Sequence, residues 1–311
     1  MVAVTLSQLP KPAAGLSGWP WTKETPALPP RMPNGREWPK ISIVTPNYNY
    51  CCYLEETIRS VLLQSYPNLE YIIIDGGSND GSLEIIRKYE RWLTWESKPD
   101  SGSSDAINKG LRLATGEILA FLNSDDYYQP GTLAQIACEI DAARDRYVVM
   151  GDTNEVNAQG KLLRLWQART PSFNSLLFQY RLCRIGGIVV MPNQPSVFWH
   201  RHVQEKVGYF REDLEYGFDY EYWLRMLANG FKFHNLHEVY SNYRFHQQSR
   251  SYQGWKGFYP EWKKVSNEYL EGLPAIKGYF AKLYWWLVLF PLSIFTFPHR
   301  SISYLLGVKR G

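Results

Sequence analysis

Between Ile41 and Leu122 short apolar runs alternate with stretches in which apolar residues return every three or four positions. Short runs bounded by turn formers read as strands buried on both faces, and the 3.6-residue period reads as helices packed by one face. The pattern predicts strands at 41–45, 71–75, 93–97 and 118–122. Helices are expected between them at 54–64, 82–92 and 104–114. Such alternation makes an α/β fold with a doubly wound, mostly parallel sheet.

After about residue 145 the rhythm becomes mixed. Strands at 147–151 and 162–166 flank the turn Asn157-Ala158-Gln159-Gly160, helices are expected near 173–181, 202–207 and 220–229, and a last strand pair near 231–234 and 237–243. Residues 1–40 hold eight prolines and no period, which reads as an extended arm pinned by Trp19, Trp21 and Trp38. The expected division is therefore an arm at 1–40, a main domain at 41–255 with halves 41–126 and 127–255, and a tail at 256–311. No internal repeat is present.

Composition narrows the function. A chain of 311 residues with 45% apolar content can build a sizeable core. Its 34 basic and 30 acidic residues leave a net charge of +4, and no RNP, helix-turn-helix or zinc-finger pattern occurs, so no nucleic-acid partner is expected. Cys51, Cys52, Cys138 and Cys183 lack paired metal spacing, and adjacent Cys51 and Cys52 would bridge only with strain. A reducing compartment follows. With no basic-then-apolar leader at the N-terminus, a cytoplasmic location is expected.

The candidate chemistry lies at strand ends. Phe121-Leu122-Asn123-Ser124-Asp125-Asp126 closes an apolar run with two adjacent carboxylates and no neighbouring cation. That pair is either a solvated turn before Pro130-Gly131 or a cation site, since Mg²⁺ uses one or two carboxylates and completes its shell with water and phosphate. Thr45-Pro46-Asn47-Tyr48-Asn49 ends the first strand. Asp75-Gly76-Gly77-Ser78-Asn79-Asp80-Gly81-Ser82 ends the second, with Asp80 or Ser82 placed to cap the next helix. Asp105 falls in the first turn of a helix, where the dipole favours an anion. Asp75, Asp105 and Asp125 occur in the order that lines one sheet edge, where open α/β sheets bind ligands.

Downstream, Asp219 in Gly217-Phe218-Asp219-Tyr220-Glu221 reads as a helix N-cap or as a reactive carboxylate. Glu221, two residues on, does not share its helix face. His246 lies among Arg244, Ser249 and Arg250, a set suited to phosphate. Gly186-Gly187 reads as a hinge or an ordinary turn.

Taken together from Ile41 to Ser251, these motifs, in this order and spacing, resemble family 2 glycosyltransferases of the GT-A fold. The resemblance implies an inverting transferase that uses Mg²⁺ or Mn²⁺ and a nucleoside-diphosphate sugar donor. It implies donor contacts at Thr45, Pro46, Asn47, Asp75, Asp105, Asn123 and Ser124, with Asp75 on the base. It implies Asp125 and His246 at the metal and Asp219 as general base. Asn123 and Phe218 depart from the acidic residues usual at their positions. The expected acceptor is a hydroxyl of a saccharide or lipid-linked molecule in cell-surface polysaccharide or glycolipid synthesis.

Two other classes share such a sheet. A sugar nucleotidyltransferase would carry a glycine-rich loop with a basic residue after the first strand, and a non-catalytic sugar-binding protein would not need three separated carboxylates. Processive synthases carry Gln-x-x-Arg-Trp, and Arg91-Trp92 lacks the glutamine.

The tail holds sixteen uncharged residues, Leu283 to Pro298, with Pro291 inside and Lys and Arg on both flanks. A spanning helix needs about 20 apolar residues, so residues 279–310 read either as a C-terminal amphipathic helical segment lying on the inner face of the plasma membrane or as a helix packed on the domain.

Overall fold

The structure is a computed structural model that describes residues 3–140, 145–184, 190–253, 255–273, 283 and 285–289. The first half runs β1 (Ile41–Asn47), α1 (Cys51–Leu62), β2 (Leu69–Asp75), α2 (Ser82–Tyr89), β3 (Thr94–Ser97), α3 (Ser103–Leu113) and β4 (Ile118–Phe121). The second half runs β5 (Tyr127–Tyr128), α4 (Thr132–Glu139), β6 (Val148–Val156), β7 (Leu162–Trp166), α5 (Phe173–Leu177), α6 (Gln179–Arg184), β8 (Val197–His200), α7 (Arg201–Val207), α8 (Phe218–Ala228), β9 (Phe233–Arg244) and α9 (Trp255–Gly272).

Among the described residues the strands form one sheet in the order β3-β2-β1-β4-β8-β6-β9-β5, with β7 paired to β6. The first half is parallel throughout, as β1 pairs in parallel with both β2 and β4, and β2 with β3. In the second half β8 is antiparallel to β4 and β6, while β6 and β9 run parallel. The expected parallel sheet thus holds for the first half, and the second half is mixed.

Alternate strand residues feed two cores. Val44, Ile72, Leu119 and Phe121 pack with α3, α5 and α8 on one face. Ile43, Ile73, Ala120 and Leu122 pack with α1, α2 and α4 on the other. Gly110 lets α3 press onto β1, because a side chain there would collide with Val44. The aromatic-rich α8 buries Tyr220, Tyr222 and Trp223 completely. In α9, Trp262 and Val265 join the same core, so the opening of the expected tail is packed structure.

The arm is held as its tryptophans suggested. Trp38 packs edge-on against Tyr66 and donates to the carbonyl of Pro29 at 2.8 Å. Trp19 donates to the carbonyl of Tyr128 at 2.7 Å. Arg59 of α1, fully buried, donates to the carbonyls of Pro10, Pro20 and Trp21. A guanidinium meets three backbone acceptors that an extended arm leaves unpaired.

Three expectations change in detail. The last strand pair is one strand, β9, bent where His237 takes a φ of 56° and the register with β6 shifts. The helix α4 and the short strands β5 and β8 were not expected. Gly186-Gly187 and most of the apolar tail lie outside the described residues. No helix among the described residues is long and apolar enough to cross a membrane.

Candidate active site

Strand β1 delivers its end to the carboxyl edge of the sheet. Val44 accepts a hydrogen bond from Leu122 on the β4 side, and Pro46, two residues on, faces the same way where β4 has already turned off. Proline's missing donor therefore costs no ladder bond. Thr45 is buried against the Tyr71 hydroxyl at 3.1 Å, and Pro46 is buried too. Both shape the edge from beneath. Asn47 donates to Asp75 at 2.7 Å and to Ser78 at 3.2 Å.

Asp75, at the end of β2, has no exposed surface. Its Oδ1 accepts from Asn47 and the Ser78 hydroxyl, and its Oδ2 accepts from the amides of Gly77 and Ser78 and from the Ser97 hydroxyl. Against the opposing effect of burial, the Ser78 and Ser97 hydroxyls and their companions hold its carboxyl below the usual range. Five donors use up the acceptor capacity of a carboxylate, so Asp75 here ties the ends of β1 and β3 to the loop after β2. The N-cap of α2 is Gly81, so neither Asp80 nor Ser82 takes the expected capping position; Asp80 accepts from the Ser82 amide at 3.0 Å and from the Cys51 amide, at the start of α1, at 2.8 Å.

Asp105 accepts from the Ser101 amide at 2.9 Å and pairs with Lys109 at 3.0 Å, one helical turn on. Burial opposes ionisation, but the Ser101 amide and Lys109 keep its carboxyl low. Its position in the first turn of α3 matches the dipole reading.

After β4 the chain turns, and the two carboxylates part. Asp126 points inward with no exposed surface; its Oδ1 accepts from the Arg244 amide at 2.8 Å, and its Oδ2 has no partner. Burial, reinforced by Asp125, pushes its carboxyl well above the usual range. Asp125 is partly buried and meets Nε2 of His246 at 3.0 Å. Asn123 donates to Gln194 at 3.0 Å, and Gln194 donates back to the Phe121 carbonyl at 2.7 Å. Ser124 is buried, its carbonyl accepting from Thr57 at 2.9 Å. The solvated-turn reading of this pair does not hold.

His246 is seated between Tyr50 and Tyr53, whose ring centroids lie 5.7 and 4.8 Å away. Neither tyrosine was singled out from sequence, although both stand in the loop and first turn after β1. Arg244 also differs from expectation. Only 2% exposed, it donates to the carbonyls of Asp125 and Ala158, pairs with Glu56 and lies over Tyr53. It is a structural pin and offers no free fork to a phosphate. Arg250 is partly exposed and joins Ser103, at the head of α3, to the Glu215 carbonyl before α8.

Asp219 is the second residue of α8, one past the N-terminal residue Phe218, so it is not the N-cap. Partly buried, it accepts from the Tyr220 amide at 2.7 Å. Burial pushes its carboxyl up to about 7, against the lowering effect of Arg250. Glu221 points elsewhere, as its helix position predicts, and pairs with Arg225 at 2.7 Å.

The segment 244–250 thus links Asp125, through His246, to the Asp219 region, through Arg250. Among the described residues no group of three or more His, Cys, Asp or Glu side chains forms a metal cage. Asp125 and His246 bring one carboxylate oxygen and one imidazole nitrogen together, two groups that could hold a divalent ion only if phosphate oxygens and water completed its shell.

Comparison with known proteins shows the family. The family model described as "Glycosyl transferase family 2" matches residues 42–201. The chain belongs to glycosyltransferase family 2. It is 30% identical over 231 residues to the putative teichuronic acid biosynthesis glycosyltransferase TuaG of Bacillus subtilis, covering 72% of this chain and 86% of that one. It is 32% identical over 172 residues to an uncharacterized glycosyltransferase of Nostoc sp., of which it spans about half, 53%. The fold resembles S. aureus TarS 1–349 in complex with UDP-GlcNAc, with a TM-score of 0.61, 21% identity and coverage of 87% of this chain and 76% of that one. It also resembles the mannosyltransferase PcManGT from Pyrobaculum calidifontis in complex with GDP-Man and Mn²⁺, with a TM-score of 0.54, 18% identity and coverage of 92% and 78%. The GT-A architecture of this family 2 chain is therefore shared with transferases whose structures hold nucleotide sugars.

Proposed function

We propose that this family 2 chain moves one sugar from a nucleoside-diphosphate sugar to a hydroxyl of a saccharide or lipid-linked acceptor, with inversion at the anomeric carbon. Asp219 accepts the proton of the acceptor hydroxyl. The oxygen attacks the anomeric carbon from the face opposite the leaving group, the bond from that carbon to the diphosphate oxygen breaks, and the nucleoside diphosphate departs. The observation that carries this reading is Asp219 itself, a carboxylate in the first turn of α8 that burial pushes up to about 7, close to neutral working pH.

Asp125 and His246 would hold Mg²⁺ or Mn²⁺, and such an ion supplies positive charge to the diphosphate. Arg250, between the heads of α3 and α8, adds a fixed cation near the same edge. The Asn123–Gln194 bond keeps the turn that presents Asp125 in place. Asn123 and Ser124 are assigned to the donor side with Asn47 and Asp105.

The name of TuaG favours a cell-surface polysaccharide as the destination of the sugar. A peripheral site on the inner face of the plasma membrane fits the exposed Trp286 and Leu287 beside the buried Trp285, which packs on Phe178 at 5.6 Å.

The test is release of free nucleoside diphosphate in the presence of Mn²⁺ or Mg²⁺ and an acceptor extract. Release that needs acceptor and disappears in Asp219→Asn supports the reading. Turnover unchanged by Asp219→Asn removes Asp219 from the base role.

A further inference from the structure

Gly76 and Asp100 share one space. A methyl group built on Gly76 would lie 2.7 Å from Oδ2 of Asp100 and 3.1 Å from its Cγ. Such contacts are too short to persist, so the bare backbone at position 76 is what admits this carboxylate. Asp100 comes from the turn between β3 and α3, two positions before the Gly102 amide that donates to its Oδ1 at 2.9 Å. Among the described residues no donor reaches its Oδ2, and the residue is only partly buried.

Asp75 stands in the opposite condition. It is fully buried and carries five protein donors. A carboxylate offers about four lone-pair directions, so Asp75 has none left for a ligand, while Asp100 has one whole oxygen open. Resting on the nucleotide-sugar reading above, we propose that Asp100, not Asp75, reads the nucleotide base, its Oδ2 accepting an N–H from the base's pairing edge.

The chemistry of the loop sets the class of base. An ionised carboxylate only accepts hydrogen bonds. Uracil and thymine carry an imide N–H at that edge, and guanine carries a ring N–H beside an amino group. Cytosine and adenine turn a bare ring nitrogen toward the same spot, where its lone pair opposes the carboxylate. Rejection by an opposed lone pair is a stronger discriminator than a lost contact. Position along the edge agrees. Asp100 lies within electrostatic reach of Lys109, Asp105 and Asp75; Lys109 is paired with Asp105, so the remaining charge beside Asp100 is negative and favours a base edge bearing a partial positive hydrogen. The guanidinium of Arg250, with the Asp125–His246 pair beyond it, marks the other end for the diphosphate.

The experiment is isothermal titration of the full chain with UDP, GDP, CDP and ADP in Mn²⁺, for the native protein, Asp100→Ala and Gly76→Ala. The native chain should bind UDP or GDP at least tenfold more tightly than CDP and ADP. Asp100→Ala should weaken the favoured nucleotide by about tenfold or more and leave the other affinities in place, which also reports an intact fold. Gly76→Ala should produce the same loss, since its methyl group displaces the carboxylate while keeping the charge. A preference for CDP or ADP, or a preference for UDP or GDP that survives Asp100→Ala, overturns the assignment and leaves the transferase reading standing. Failure of the native chain to bind any of the four overturns both.

Discussion

Nε2 of His246 lies 3.0 Å from Oδ2 of Asp125, across 121 residues of chain. Two residues so remote meet only because β9 runs beside β6 and returns to the carboxyl edge of the sheet. If this pair holds a divalent ion, removing the ion with EDTA should stop nucleoside-diphosphate release, and added Mn²⁺ or Mg²⁺ should restore it. Asp125→Ala should abolish release at any metal concentration, while His246→Ala should shift half-saturation to higher metal by roughly tenfold or more, the scale of losing one contact to a bound ion. Full activity of Asp125→Ala in excess EDTA would rule the pair out.

The rate should follow the protonation of Asp219. Its carboxyl sits at about 7, and a base acts only when ionised, so turnover should fall about tenfold for each pH unit below that value. Stability follows the opposite sense. The folded protein holds this proton more tightly than the unfolded chain, so ionising Asp219 weakens folding between about pH 4 and 7 and the deficit stays constant above. Asp219→Asn should therefore melt higher than the native chain at pH 8 and alike near pH 3. A lower melting temperature at pH 8 would show that the carboxylate is stabilised in place.

Arg244 should matter to folding more than to ligand binding. It is buried, paired with Glu56 and bonded to the Asp125 and Ala158 carbonyls. Removing one member of a buried pair typically costs about 3–5 kcal/mol, so Arg244→Ala should lower the urea midpoint sharply. Glu56→Gln, which keeps a hydrogen-bond acceptor, should cost less. An Arg244→Ala protein with native stability would return this guanidinium to the phosphate role.

Gly110 permits the close approach of α3 to β1. Gly110→Val should be overpacked against Val44 and lose roughly 1–3 kcal/mol, read by chemical denaturation. The companion change Val44→Ala should recover part of that loss.

The exposed Trp286 and Leu287 give the membrane reading a direct measurement. The full chain should sediment with vesicles rich in anionic lipid and release at high salt. Trp286→Asp should reduce the bound fraction severalfold, and absence of any binding by the native chain would leave only the packed-helix reading.

The first half was legible because its strands pack on both faces and end in turn formers. β2, β3, β4 and α3 start or stop within two or three residues of their expected limits. β5 and β8 escaped because two or four residues show no period, and α4 escaped behind the turn at Pro130-Gly131. β9 was read as two pieces because His237 breaks the alternation. In the site, motif order correctly brought Asp75, Asp105 and Asn123–Asp125 to one edge. It could not reveal that Ser97, at the end of β3, would help saturate Asp75, or that the Arg244 amide would draw Asp126 inward. Asp100 had a signal in Pro99-Asp100-Ser101-Gly102, a strand-to-helix turn like the others. The decisive clue, the missing side chain at Gly76, shows only in three dimensions.

β5 has β9 as its strand partner, and β9 slots between β5 and β6 in the finished sheet. A ribosome emits the loop bearing Asp125 long before it emits His246, so the emerging polypeptide can assemble its first parallel strands yet must wait for the late strand to bring in the histidine. Prematurely terminated copies should therefore be catalytically silent, even when their leading portion has condensed.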